Sequence, residues 1–97
     1  MYKINNSIRE AKFNGLQISK LAKTDTLEIL SISMEKLAVF PKHSSPTDAQ
    51  LVVLEGDISF HINNEIYSLK KEQSFSFPKD IEHWVEANDN SKFLIIR

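Results

Sequence analysis

The feature that most constrains this chain is the segment Ile58-Ser59-Phe60-His61-Ile62, followed at once by Asn63-Asn64 and then by Ile66-Tyr67-Ser68-Leu69. Side chains along a strand point alternately to its two faces, so Ile58, Phe60 and Ile62 share one face and Ser59 and His61 the other. Asparagine tolerates the positive φ that a tight hairpin turn needs, and the second segment supplies the returning strand. The period of two predicts a β-hairpin here rather than a helix.

The rest of the chain is cut into pieces of the same kind. Leu30-Ser31-Ile32-Ser33-Met34 alternates, and Leu37-Ala38-Val39-Phe40 is β-prone. Phe75 and Phe77 alternate with Ser74 and Ser76 until Pro78 stops the ladder. Leu51-Val52-Val53-Leu54 is a continuous branched run, as expected of a strand buried on both faces. Trp84-Val85 and Phe93-Leu94-Ile95-Ile96 add two more pieces. Many short strands with closely spaced turns predict a sandwich or barrel. Ser7 to Phe13 reads either as a helical turn or as an added strand.

The chain has 97 residues, 41% apolar and 26% charged, which makes one globular domain near the lower size limit for a self-sufficient core. Twelve basic residues against thirteen acidic ones leave a net charge of −1. That gives no field to hold a nucleic-acid backbone or an acidic membrane. The absence of cysteine excludes a disulfide scaffold, a thiolate nucleophile, a cysteine zinc site and iron–sulfur chemistry. It also suits a reducing compartment. Residues 1–6 lack the apolar core of a signal peptide, and no apolar run approaches the roughly 20 residues that span a bilayer. The expectation is a cytoplasmic protein with no nucleic-acid or membrane partner.

From about Leu27 to Arg97 the chain resembles the core of the cupin superfamily. The family's first motif runs from a glycine through two histidines and a glutamate to a closing glycine. Its second runs from a glycine through a proline, a glycine and a histidine to an asparagine. The spacing from His43 to Gly56, and from Pro78 to His83, fits both frames. His43 falls on the first metal-binding histidine and Gly56 on the closing glycine, while Pro78 and His83 fall on the proline and histidine of the second motif. Ser45 stands where the second histidine would be, and Ala49 where the glutamate would be. Leu37 and Glu72 replace the leading glycines, Asp80 the internal glycine and Ala87 the asparagine.

The resemblance implies an all-β fold: a single cupin-type, jelly-roll β-barrel over residues 27–97. Residues 1–26 would be an N-terminal extension or edge strand, with a short helix or added strand. A typical cupin holds a divalent metal with three imidazoles and a carboxylate. Here only His43 and His83 remain, so the expected cofactor is none, or a divalent metal loosely bound by those two residues and water. Asp48 and Gln50 flank the vacant carboxylate position, but neighbours on a strand point to opposite faces, and only a bulge would turn either inward.

His43, Ser45, Gln50 and His83 are the candidate pocket residues. By parity with His43 and Ser45, the residues Val39, Leu51 and Val53 would form a mostly apolar wall suited to a small, weakly polar ligand. Phe75 and Phe77 are assigned to the core. His61 belongs on the outer face with Ser59, and Trp84 faces outward if His83 faces inward. A Ser-His-Asp triad from Ser45, His43 and Asp48, or a pairing of Ser44 with His83, has no nucleophile elbow to support it.

Three functions follow in order of preference. The first is a small-molecule-binding or sensing cupin without turnover. The second is a metal-dependent isomerase or dioxygenase using His43 and His83. The third is a structural or protein-interaction barrel with a closed pocket. A barrel this small leaves sheet edges unpaired, so a homodimer is expected, with residues before Leu27 as edge-strand donors.

Overall fold

The computed structural model describes residues 1–97. One helical turn, α1 (Ser7–Glu10), precedes nine strands: β1 (Leu16–Lys23), β2 (Glu28–Met34), β3 (Val39–His43), β4 (Ala49–Glu55), β5 (Asp57–Ile62), β6 (Glu65–Lys70), β7 (Ser74–Phe77), β8 (His83–Ala87) and β9 (Ser91–Ile96). They form two antiparallel sheets, β1-β2-β9-β4-β7 and β3-β8-β5-β6, a jelly-roll arrangement that matches the expected all-β fold. No helix is long and apolar enough to cross a membrane. The segment read as turn or strand contains the turn, at Ser7–Glu10, and a strand follows it at Leu16–Lys23.

Alternation decides what lies between the sheets. Ile58, Phe60 and Ile62 of β5 are buried, and so are Leu51 and Val53 of β4, Ile32 and Met34 of β2, and Phe93 and Ile95 of β9. Burying a side chain of this size contributes roughly 2–3 kcal/mol before entropy is counted. The hairpin turn is Asn63-Asn64, at φ 52° and 62°, the conformation that asparagine tolerates. At the β4–β5 turn, Gly56 has φ 93°, and a Cβ there would overlap Ser91 Oγ and the Asn90 carbonyl. The Ser91 hydroxyl instead reaches across this gap, accepting from Asp57 N–H at 3.0 Å and lying 2.8 Å from the Asp89 carbonyl. Only glycine leaves room for it.

Two local expectations are corrected. β4 is not buried on both faces: Ala49, Leu51 and Val53 are, whereas Gln50, Val52 and Leu54 are half-exposed. The N-terminal segment covers the neighbouring β2–β9 part of that outer face, where the Lys12 carbonyl accepts from Ser33 Oγ and the Arg9 carbonyl from Lys92 Nζ. The second correction is Val39, assigned to the interior wall but 47% exposed. Opposite β8, Phe40 pairs with Val85 and His43 with His83, so β3 spends one extra residue between them. This bulge reverses the parity counted back from His43, and Phe40 takes the inward place instead of Val39.

Candidate functional site

The same bulge builds the site. It turns both Phe40 and His43 toward the barrel interior, where the cross-strand partner of His43 is His83. The two Nε2 atoms lie 3.0 Å apart. His43 Nδ1 donates to the Pro41 carbonyl at 2.7 Å, and His83 Nδ1 to the Ile81 carbonyl at 3.1 Å. Carbonyl oxygens only accept, so both Nδ1 atoms carry hydrogens. A neutral pair therefore brings two N–H groups to three contacts, and the two Nε2 lone pairs face each other. One donor or one positive charge is missing from the arrangement.

Aromatic rings surround the pair. Phe40 stacks on His43 with centroids 4.1 Å apart and planes 16° apart. Phe60 lies nearly parallel to His83 at 5.2 Å, and Phe77 meets it edge-on at 4.6 Å. His83 is 2% exposed, while His43 is half-exposed and is the only member of the pair open to solvent. Burial pulls the His83 imidazole below its ordinary value, with the neighbouring His43 and the Arg97 guanidinium acting the same way against the Ile81 hydrogen bond. His83 is thus a neutral acceptor at neutral pH.

The other two candidate residues are placed elsewhere. Ser45 is 1% exposed, but its Oγ donates to the Thr47 carbonyl at 2.6 Å, closing its own loop rather than reaching the histidines. Gln50 faces outward from β4, since the inward parity belongs to Ala49 and Leu51, and its Oε1 accepts from Ser76 Oγ at 2.7 Å. It lines a surface hollow of about 510 Å³ with Asp48, Pro78 and Ile96. Asp48 accepts from the Lys79 backbone N–H, so neither neighbour of Ala49 turns inward. The Ser45-His43-Asp48 triad is not assembled.

The donor set does not make a resident metal centre. Two neutral imidazole nitrogens converge, Ala49 offers no ligand atom, and the Ser45 hydroxyl is turned away. No three histidine, aspartate or glutamate side chains gather closely enough to hold an ion together. Without an anionic ligand, the charge of a divalent ion would go uncompensated in an aromatic surrounding.

On the outer face, His61 and Trp84 are cross-strand partners whose rings stack at 3.6 Å and 11°. His61 Nε2 lies 3.2 Å from a Glu86 carboxylate oxygen. Strand parity had placed both residues there. Parity could not show the aromatic ring around the histidines, because Phe40 is brought in by the bulge.

Comparison with known proteins adds the family. The family model described as the cupin domain matches residues 31–96. No curated protein matches this chain. Among solved structures, a conserved Streptococcus pyogenes protein of unknown function superposes with a TM-score of 0.85 at 24% identity, covering 99% of this chain and 86% of that one. An RmlC-like cupin from Desulfovibrio desulfuricans gives 0.86 at 20% identity, over 99% and 95% of the two chains. A cupin 2 conserved barrel domain protein from Leptotrichia buccalis gives 0.81 at 27% identity, over 90% of this chain and 42% of that one. With its sheets, its motif positions and this match in agreement, the chain belongs to the cupin superfamily.

Proposed function

We propose that this chain is a small-molecule-binding or sensing cupin without turnover, whose ligand is taken at the His43–His83 end of the barrel. The observation that carries this reading is the pair of facing Nε2 atoms with both Nδ1 atoms already committed. A ligand hydroxyl approaching from the half-exposed His43 side would supply the missing donor. The rings of Phe40, Phe60 and Phe77 around the pair suit a small, weakly polar body on that ligand. A cytoplasmic setting belongs to the same reading and rests on the cysteine-free sequence.

A second reading, a structural barrel with a closed pocket, is favoured by the fully buried Phe60 and Phe93, which fill the interior. A thermal-shift screen of small alcohols, phenols and hydroxy acids separates the two. Under the binding reading, at least one compound raises the melting temperature of the wild type and not of His43→Phe. If none does, the closed-barrel reading stands instead. Elemental analysis of the untagged protein tests the metal-dependent alternative. About one equivalent of a transition metal, lost in His43→Ala, would restore that alternative.

A further inference from the structure

The histidine pair sits behind a closed wall. None of the four hollows in the surface is lined by His43 or His83. His83 and Val85, which face the interior from β8, are 2% and 1% exposed. They are covered by β3, through two side chains that it carries. Phe40 lies opposite Val85, and His43, with the Phe40 ring stacked on it, lies opposite His83.

β3 is tied at both ends. Before it, the Leu37 N–H donates to the Ala87 carbonyl at 2.8 Å, and the Ala87 N–H to the Ala38 carbonyl at 3.0 Å. After it, the Ser45 carbonyl accepts from the Asp80 N–H at 2.9 Å. Between these ties the strand is an edge, paired with β8 on one side only, and the bulge leaves Pro41 and Lys42 without cross-strand partners. Pro41 has no N–H to give, and its carbonyl is taken by His43 Nδ1 within β3 itself. No residue of the strand is fully buried, and Val39, Pro41 and Lys42 are exposed. The histidine pair does not fasten it either, because two neutral rings with facing Nε2 lone pairs make no hydrogen bond across their 3.0 Å. Segments with few buried contacts and unpaired backbone are the ones that open locally.

We infer that β3 is a flap that swings away from β8 between its two tied ends and forms the entrance to the barrel interior. Opening carries Phe40 and His43 outward together. It bares Val85, His83 and the Phe60 and Phe77 rings that lie against His83. The missing donor between the two Nε2 atoms leaves the closed flap unfastened, and a ligand hydroxyl placed there would fasten it. The ligand thus shuts the strand by which it enters. The flap's role as an entrance rests on the ligand reading above, whereas its motion in the free protein does not.

Thiol labelling tests the motion on the full chain, which has no cysteine of its own. Val85→Cys puts a thiol beneath Phe40. Val53→Cys makes the same change at an equally buried position on β4, which is flanked by β9 and β7. Without any ligand, the thiol of Val85→Cys reacts at least about tenfold faster than that of Val53→Cys. Its rate also depends less steeply on urea, because a local opening exposes less surface than unfolding does. In the wild type, hydrogen exchange finds β3 less protected than the Ala87 and Asp80 amides, which mark the tied ends. Equal labelling rates with equal urea dependence overturn the flap. So does a β3 as well protected as those two amides, a result that requires no substitution to fold. Phenol, as a small aromatic hydroxyl, separates the flap from the ligand reading. Slower labelling of Val85→Cys but not of Val53→Cys in phenol supports both. Fast local labelling that phenol leaves unchanged keeps the flap and counts against phenol-like ligands at the pair.

Discussion

His83 is the residue on which the interior turns. It is 2% exposed and enclosed by Phe60 and Phe77, and burial lowers its proton affinity below that of a free imidazole. Its contribution to stability has a definite sign. The unfolded chain takes up a proton at His83 near pH 6.5, whereas the folded chain resists until the pH is lower. Stability from this group is therefore complete above about pH 6.5 and is lost as pH falls through the interval down to the folded value. Thermal melts between pH 7.5 and 5 are expected to show the midpoint falling, with the steepest part below about 6.5. His83→Gln, which has nothing to titrate, removes that part of the slope. A wild-type midpoint equal at both ends of the range would show that His83 binds its proton equally well in the folded and unfolded chains. That His43 and His83 meet was legible from motif spacing. That Gln50 and Ser45 do not join them was not, because the Ser45 hydroxyl finds Thr47 in its own loop and Gln50 obeys strand parity.

At the scale of elements, three positions where the family motifs have glycine hold other residues in the left-handed conformation that glycine adopts freely. Leu37 and Glu72 stand at the two leading glycine positions and Asp80 at the internal one, and all three have positive φ, 75°, 69° and 65°. The turns before β3, β7 and β8 each hold a left-handed residue that is not the glycine which adopts that conformation freely. A side chain in that region costs roughly 1–2 kcal/mol, whereas glycine's extra freedom in the unfolded chain costs about 0.4–1 kcal/mol. Glu72→Gly is therefore expected to leave stability unchanged or raise it by up to about 1 kcal/mol, read as the urea midpoint. Lys71→Gly, next to it but not at positive φ, should cost about 0.5–1 kcal/mol. A clear loss in Glu72→Gly would mean that the turn is held by its side chain rather than tolerated despite it. Eight of the nine strands were readable from apolar alternation or branched runs, and the hairpin from Asn63-Asn64. The β3 bulge was not readable, since one added residue leaves no mark on composition. It was this bulge that moved Val39 out and Phe40 in.

For the molecule as a whole, the N-terminal segment is the part that the family motifs say least about, yet it is tied into the sheet. Lys92 on the outer side of β9 is only 8% exposed, an unusual place for an ammonium group. Its Nζ donates to the Arg9 carbonyl at 3.3 Å, lies 3.7 Å from a Glu55 carboxylate oxygen and sits 5.2 Å above the Phe13 ring. Two of those three partners come from the segment before β1. Deleting residues 1–13 should leave the nine strands in place but return Lys92 to water and uncover Ser33, whose hydroxyl donates to the Lys12 carbonyl at 2.9 Å. The loss is expected to be about 2 kcal/mol, the scale of a charge-assisted hydrogen bond and a partly buried cation–π contact together. It would be read from urea unfolding, with far-ultraviolet circular dichroism confirming that the β-signal persists. Lys92→Met in the shortened chain should recover part of the loss, because a flexible apolar side chain no longer needs those partners. The same substitution in the full chain should lower stability, since it strands the Arg9 carbonyl and removes the pair with Glu55. Opposite signs for one substitution in two backgrounds would identify the segment as a strap fastened through Lys92. Equal signs would show that it lies on the sheet without being fastened there.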